Sequence, residues 1–197
     1  MKQAIRASLV MIVLFTILTG ILYPLAITVL SQAIFPFQAS GSIVEQNGKA
    51  IGSVLIGQQF TSPKYFWSRL SATGPFPYNA GASSGSNLGP LHPALKAAAQ
   101  ARIDQLHLSD SSNAPHIPVD LVTASASGLD PHISVAAALY QVPRVTRERN
   151  LSNETVLALV SKHIEHRTFT MLGEPRVNVL ELNLALDELS SSPEGTK

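Results

Sequence analysis

Ala7 to Leu30 reads ASLVMIVLFTILTGILYPLAITVL and carries no charged residue. A helix over this stretch rises roughly 36 Å, enough to cross the hydrocarbon core of a bilayer with some tilt. In lipid the backbone N–H and C=O groups must satisfy one another, so the stretch predicts a single transmembrane helix over 7–30. Pro24 removes a ladder donor near the far end, which predicts either a kink or a local loosening of the helix. Tyr23, Phe35 and Phe37 stand where interfacial aromatics collect.

The flanks orient the helix. Lys2, Arg6 and the α-amino group precede it, and the next charge is Glu45. The bias predicts a cytoplasmic N-terminus over 1–6, a linker over 31–41, an extracytoplasmic domain over 42–190 and a frayed tail over 191–197. The rival is a cleaved signal peptide ending at Ser31-Gln32-Ala33. The apolar run is longer than the usual signal core of about 7–15 residues, which favours a retained anchor.

Of 197 residues, 45% are hydrophobic and 14% charged. Beyond the anchor, about 160 residues suit one domain with its own core. Twelve of the 14 basic residues lie there, against all 13 acidic ones, so no basic stripe supports nucleic-acid binding. The chain has no cysteine, which excludes disulfides, thiol catalysis and thiolate zinc sites. Thirteen prolines and twelve glycines predict many turns and loops.

The expected domain is mixed α+β. Ser42–Gln46 and Lys49–Ile56 flank Asn47-Gly48, a strong hairpin signal because a type I′ turn needs positive φ at both central residues. Phe60, Tyr65, Phe66 and Trp67 read as a core nucleus or as a patch facing a partner. Gly74–Pro90 (GPFPYNAGASSGSNLGP) reads as a long ordered loop. Pro93 opens a helix whose stripe is Leu95, Ala99, Ile103 and Leu106. Ser109–His116 reads as a polar connection, Leu121–Thr123 as a short strand, and Ser125–Gly128 as its closing turn. Ser134 caps a short helix over Val135–Gln141, and Ser152 caps another running through His163 and Ile164. Thr168–Leu172 reads as a strand and Gly173-Glu174-Pro175 as a turn. The alternating leucines after Asn178 fit a strand, but length and composition favour a helix capped by Asn178.

Candidate chemistry is sparse. Gly81-Ala82-Ser83-Ser84-Gly85 matches G-x-S-x-G, and Asp120 or Asp130 with His132 or His163 would follow in the order of an α/β-hydrolase. That elbow needs a strand before it and a helix after it, whereas prolines and Asn87–Pro90 flank it here. Successive Gly and Ser N–H groups could cradle a phosphate, but no P-loop lysine follows. His163 and His166, with Glu165 between them, suggest a zinc pair on the helix. Zinc usually wants more convergent ligands, so solvated or core-edge histidines are the simpler reading. Asp130-Pro131-His132 reads as a turn before a helix. Arg144, Arg147 and Arg149 read as a solvated basic face or a docking surface. These residues offer neither catalytic groups nor a metal site.

The sequence also resembles a family, the C subunits of potassium-transporting Kdp ATPases. The likeness is carried by Thr19-Gly20 through Tyr23-Pro24, Gly52–Gln58, Tyr65-Phe66, Arg69–Ala72 and Pro77–Asn79 through Ser86–Leu88. It is strongest in Asp120–Asp130 (DLVTASASGLD) and Val177–Asp187 (VNVLELNLALD). Ser84 stands where the family usually has a second glycine, and Leu70 where it has proline. The resemblance implies a noncatalytic subunit of an ATP-driven potassium importer in the bacterial inner membrane. Its implied partners are a channel-like potassium-selective subunit, a P-type ATP-hydrolysing subunit, a small hydrophobic subunit and the bilayer. It further implies a catalytic-chaperone role that raises ATP affinity, with Ser83, Ser84, Gly85, Ser86 and Asn87 as a loop for nucleotide or partner. Thr123, Ser125, Ser127, Asp130, Asn178 and Asn183 are the implied interface residues. ATP would be the complex's cofactor, yet it is cytoplasmic, while the charge bias puts Ser83 across the membrane from it.

Overall fold

A computed structural model describes residues 1–46, 48–110 and 116–191. The chain divides into two compact units, Met1–Ile51 and Gly52–Lys197.

In the first unit, helix α1 (Lys2–Ile17) passes through a π-helical turn at Leu18–Leu22 into α2 (Tyr23–Ile34). Together they form one helix long and apolar enough to cross a membrane, with none of its side chains buried. Of the two outcomes expected at Pro24, loosening is the one observed. The wider turn lies just before the proline, where the ring would crowd the carbonyl of the preceding turn. Hydroxyls also use the spare carbonyl capacity, Thr19 Oγ1 donating to Phe15 O at 2.7 Å and Thr28 Oγ1 to Pro24 O at 2.8 Å. The expected linker is partly helical: α2 continues to Ile34, and α3 (Pro36–Ala39) follows. Strands β1 (Ile43–Gln46) and β2 (Lys49–Ser53) then pair, so the hairpin forms although Asn47 lies outside the described residues.

The second unit is α+β. It holds α4 (Pro93–Ser109), α5 (Val119–Val122), β3 (His132–Ser134), α6 (Val135–Arg149), α7 (Asn153–Lys162), β4 (Ile164–Glu165), β5 (Arg176–Asn178) and α8 (Val179–Ser191). The strands make an antiparallel sheet in the order β3-β5-β4, with Ile133 opposite Val177 and Ile164 opposite Val177 on the other side. The core gathers Ile133 and Val177 from the sheet with Ala138, Val142 and Val145 of α6, Val156 and Val160 of α7, and Leu182 and Leu186 of α8. Phe66 and Trp67 are buried among them, so these aromatics belong to the core rather than to a partner-facing patch.

The caps follow the sequence. Ser134 Oγ accepts from Ala137 N, Ser152 Oγ from Thr155 N, and Asn178 Oδ1 from Leu180 N and Glu181 N. Asn178 thereby starts a helix rather than a continued strand.

Four expectations are corrected. Helix α6 does not stop at Gln141 but runs through Pro143 to Arg149, because the burial of Gln141, Val142, Arg144 and Val145 outweighs one lost hydrogen bond. Leu121–Thr123 is not a strand: Val119–Val122 forms a helical turn, with Thr123 Oγ1 donating back to Val119 O. Thr168–Leu172 is a tight turn whose ends bond reciprocally, with Phe169 and Thr170 at φ 52° and 64°. His166 is not on a helix with His163, because α7 ends at Lys162 and a strand follows. Strands β3, β4 and β5, each of two or three residues, are too short to show a period. The polar connection lies partly outside the described residues (111–115), as does most of the tail (192–197).

Candidate functional site

Among the described residues no β-strand pairs with the aromatic segment, and side chains take that place. Seven consecutive carbonyls, Pro63 to Arg69, each accept a hydrogen bond from a side chain. Arg144 donates to Pro63 O and Tyr65 O, Arg149 to Lys64 O, Asn183 to Phe66 O, Gln141 to Trp67 O, Arg102 to Ser68 O and Tyr78 to Arg69 O. Asn183 Oδ1 also accepts from Phe66 N and Gln141 Oε1 from Trp67 N, so each amide holds both backbone groups of one residue. Backbone groups withdrawn from water must be paired, and here helices α4, α6 and α8 supply the pairing, with Tyr78 doing so for Arg69.

This anchored segment delivers Arg69, Leu70 and Ser71 to the Thr123–Asp130 strip. Ser125 N donates to Leu70 O at 3.2 Å, Ser71 Oγ to Gly128 O at 2.7 Å, and Arg69 Nη1 to Asp130 Oδ2 at 3.0 Å. The Ser/Gly loop closes over the same strip. Ser83 Oγ donates to Ser127 O at 3.0 Å, and a Cβ on Gly85 would come 2.7 Å from Ala126 O, so only glycine fits that approach. The structure therefore brings together Ser83, Ser84 and Gly85 with Ser125, Ser127 and Asp130. Thr123 begins the strip, half-buried. Ser86 borders a shallow hollow with Leu70, Ala101 and Ala124, and Asn87 is exposed at φ 51°. Asn178 and Asn183 lie elsewhere, buried: Asn178 Nδ2 donates to Val54 O, and Asn183 is 1% exposed against Phe66.

The hydrolase reading loses its context. Ser83 follows a 3₁₀ turn (Ala80–Ala82) rather than a strand, and no helix follows it until Pro93. Asp120 is engaged by Ser134, Asp130 by Arg69 and His132, and His163 by Leu159 O. Ser83's hydroxyl thus faces a carbonyl instead of a base. Among the described residues no group of three or more His, Asp or Glu converges for a metal. The arginines are also not one solvated face. Arg144 is 1% exposed, Arg149 is largely buried and pairs with Asp187 at 2.6 Å, and Arg147 reaches buried Asp110 at 3.1 Å.

One ionic network borders the strip. His132 lies 3.4 Å from Asp130 and 3.3 Å from Glu165, which pairs with Arg176 at 2.9 Å. Burial pushes the Asp130 carboxyl up, but hydrogen bonds from the His132 side chain and backbone, together with Arg69, outweigh it and hold it below its ordinary 3.8. A depressed carboxyl contributes stability that is whole above 3.8 and is lost as pH falls through the lower folded value. Lowering the pH from about 5 towards 2 should therefore destabilise the wild type more steeply than Asp130→Asn. Parallel pH profiles of the denaturation midpoint would refute this.

Sequence reasoning missed Arg102 and Gln141, and read Arg144 as part of a solvated face or docking surface where the structure buries it. The available signal was a polar residue on a helix's apolar stripe: Arg102 lies between Ala99 and Leu106, and Gln141 and Arg144 between Ala138 and Val145.

One helix long and apolar enough to cross a membrane, followed by an α+β module whose Ser/Gly loop is bonded to the Thr123–Asp130 strip, is the class of protein that fold and site define. A family model described as the K+-transporting ATPase c chain, KdpC, matches residues 5–188. Relatives called "Potassium-transporting ATPase KdpC subunit" agree. That of Herpetosiphon aurantiacus is 61% identical over 191 residues, 97% of this chain and 99% of the relative. That of Burkholderia orbicola is 58% identical over 187 residues, 95% of this chain and 97% of the relative, and that of Polaromonas naphthalenivorans 58% over 189, 96% of each. The chain belongs to the KdpC family.

Proposed function

We propose that this chain is the accessory subunit of a Kdp-type potassium-importing ATPase in a bacterial inner membrane, anchored by residues 7–30 with its N-terminus in the cytoplasm. Its module stands outside the membrane, packs on the channel-like subunit near the mouth of that channel and holds the assembly together. Membership of the KdpC family carries the reading. The charge asymmetry across the apolar helix supports the orientation. ATP acts through the hydrolysing partner, and any gain in its ATP affinity is transmitted indirectly. The engagement of Ser83 with Ser127 and of Gly85 with Ala126 supports a structural rather than a nucleotide-facing loop.

The cysteine-free sequence gives a direct test. In cells making the whole complex, Ser83→Cys should react with a membrane-impermeant maleimide from the outer face, and the labelled chain should copurify with the ATP-hydrolysing subunit in mild detergent. Labelling only from the cytoplasmic face would overturn the orientation. Purification of the labelled chain alone would overturn the assembly role.

A further inference from the structure

Arg102 is buried against neutral groups. Its Nε donates to Leu121 O at 3.1 Å, Nη1 to Gln105 Oε1 at 2.7 Å and Nη2 to Ser68 O at 2.9 Å. A guanidinium has five N–H donors, so each terminal nitrogen keeps one in hand. The guanidinium lies 5.0 Å from the Trp67 ring centre, and that of Arg144 lies 4.5 Å from the same ring. Two cations thus share one indole. Burial pushes the Arg102 guanidinium below its ordinary range, and the counteracting electrostatic neighbour is the phenol of Tyr78, not a carboxylate.

A cavity of about 100 Å³ opens beside Arg102, lined also by Arg69, Ser68, Ser71, Tyr78 and Gln105. Two guanidiniums line it, and among the described residues no aspartate or glutamate does. Arg69 is already paired with Asp130, so Arg102 supplies the net charge. A buried charge without a counter-charge is costly, and the space equals roughly three waters' share of liquid volume. A tetrahedral oxyanion matches both the volume and a fork of spare N–H donors.

We infer that this cavity binds one small tetrahedral oxyanion, inorganic phosphate or sulfate, between Arg102 and Arg69. The site is separate from the Ser83–Asn87 loop and requires neither nucleotide nor partner subunit.

The test uses the full chain in mild detergent, unfolded with denaturant and followed by fluorescence of Trp67, the chain's one tryptophan. Phosphate should raise the midpoint saturably over chloride of equal ionic strength, and sulfate should act alike. General salting-out stabilisation rises without saturating and serves as the background. Arg102→Lys keeps the charge but loses the fork, and should weaken the apparent affinity about tenfold. Gln105→Glu would put a carboxylate where Oε1 now meets Arg102 Nη1. This variant should be more stable in chloride and lose the saturable response, which keeps the test decisive if Arg102→Lys does not fold. An equal midpoint in phosphate and chloride for the wild type would overturn the site. So would an undiminished phosphate response in Gln105→Glu, or a response to acetate alone.

Discussion

Replacing Arg144 by methionine is expected to cost the module about 3–5 kcal/mol of stability. Methionine fills much of the same volume, so packing is largely kept and the loss is polar. Arg144 donates to Pro63 O, to Tyr65 O at 2.9 Å and to Gln141 Oε1 at 2.7 Å, and it stacks over Trp67. When a buried ion pair is replaced, both charges can leave together. Here the acceptors are backbone carbonyls, which no substitution removes, so two partly buried oxygens would lose their charged donor. Burial pushes Arg144 down to about 10, so it stays charged at neutral pH and its hydrogen bonds are charge-assisted. Trp67, 2% exposed beneath it, reports the unfolding midpoint by fluorescence. A loss below about 1 kcal/mol would show that water can reach these carbonyls once the side chain is gone.

How far the sequence discloses such an arrangement depends on whether the signal is local. The apolar run, the capping serines, Asn178 and the Pro93 helix start are set by neighbours a few residues away, and each is found where its pattern points. The end of α6 was hidden because Pro143 is a strong local stop, overruled only by what Arg144 and Val145 bury. The three short strands were hidden because their pairing brings Ile133, Ile164 and Val177 together from distant parts of the chain. The candidate site divides in the same way. The Ser/Gly loop and the DLVTASASGLD string stand out individually, but nothing local says that one lies on the other. Asn183 illustrates the limit: its family string marks it as special, while its role, pairing with Phe66 from 117 positions away, appears only in the fold.

The contact between those two strings makes the second large prediction. Gly128 closes the strip with φ at +67°, and its N–H donates to Ser125 O. An added Cβ would sit 2.5 Å from Thr73 Cγ2 and 2.7 Å from Ser84 O. Gly128→Ala therefore meets two separate penalties. The left-handed conformation costs an alanine about 1–2 kcal/mol, and overpacking adds about 1–3 kcal/mol, so the summed loss should be about 2–5 kcal/mol. Thr73 can turn aside, but Ser84 O is backbone and can only retreat with its loop. That retreat would part Ser83 Oγ from Ser127 O and lift Gly85 from Ala126. The variant should thus show, besides the lower midpoint, accelerated protease cleavage within 74–90 under conditions where the rest of the module stays folded. Thr73→Ser removes the nearer clash but leaves the backbone one, so added to Gly128→Ala it should recover only part of the stability and none of the protection. Full recovery of both would mean that Thr73, rather than the loop carbonyl, sets the requirement for glycine.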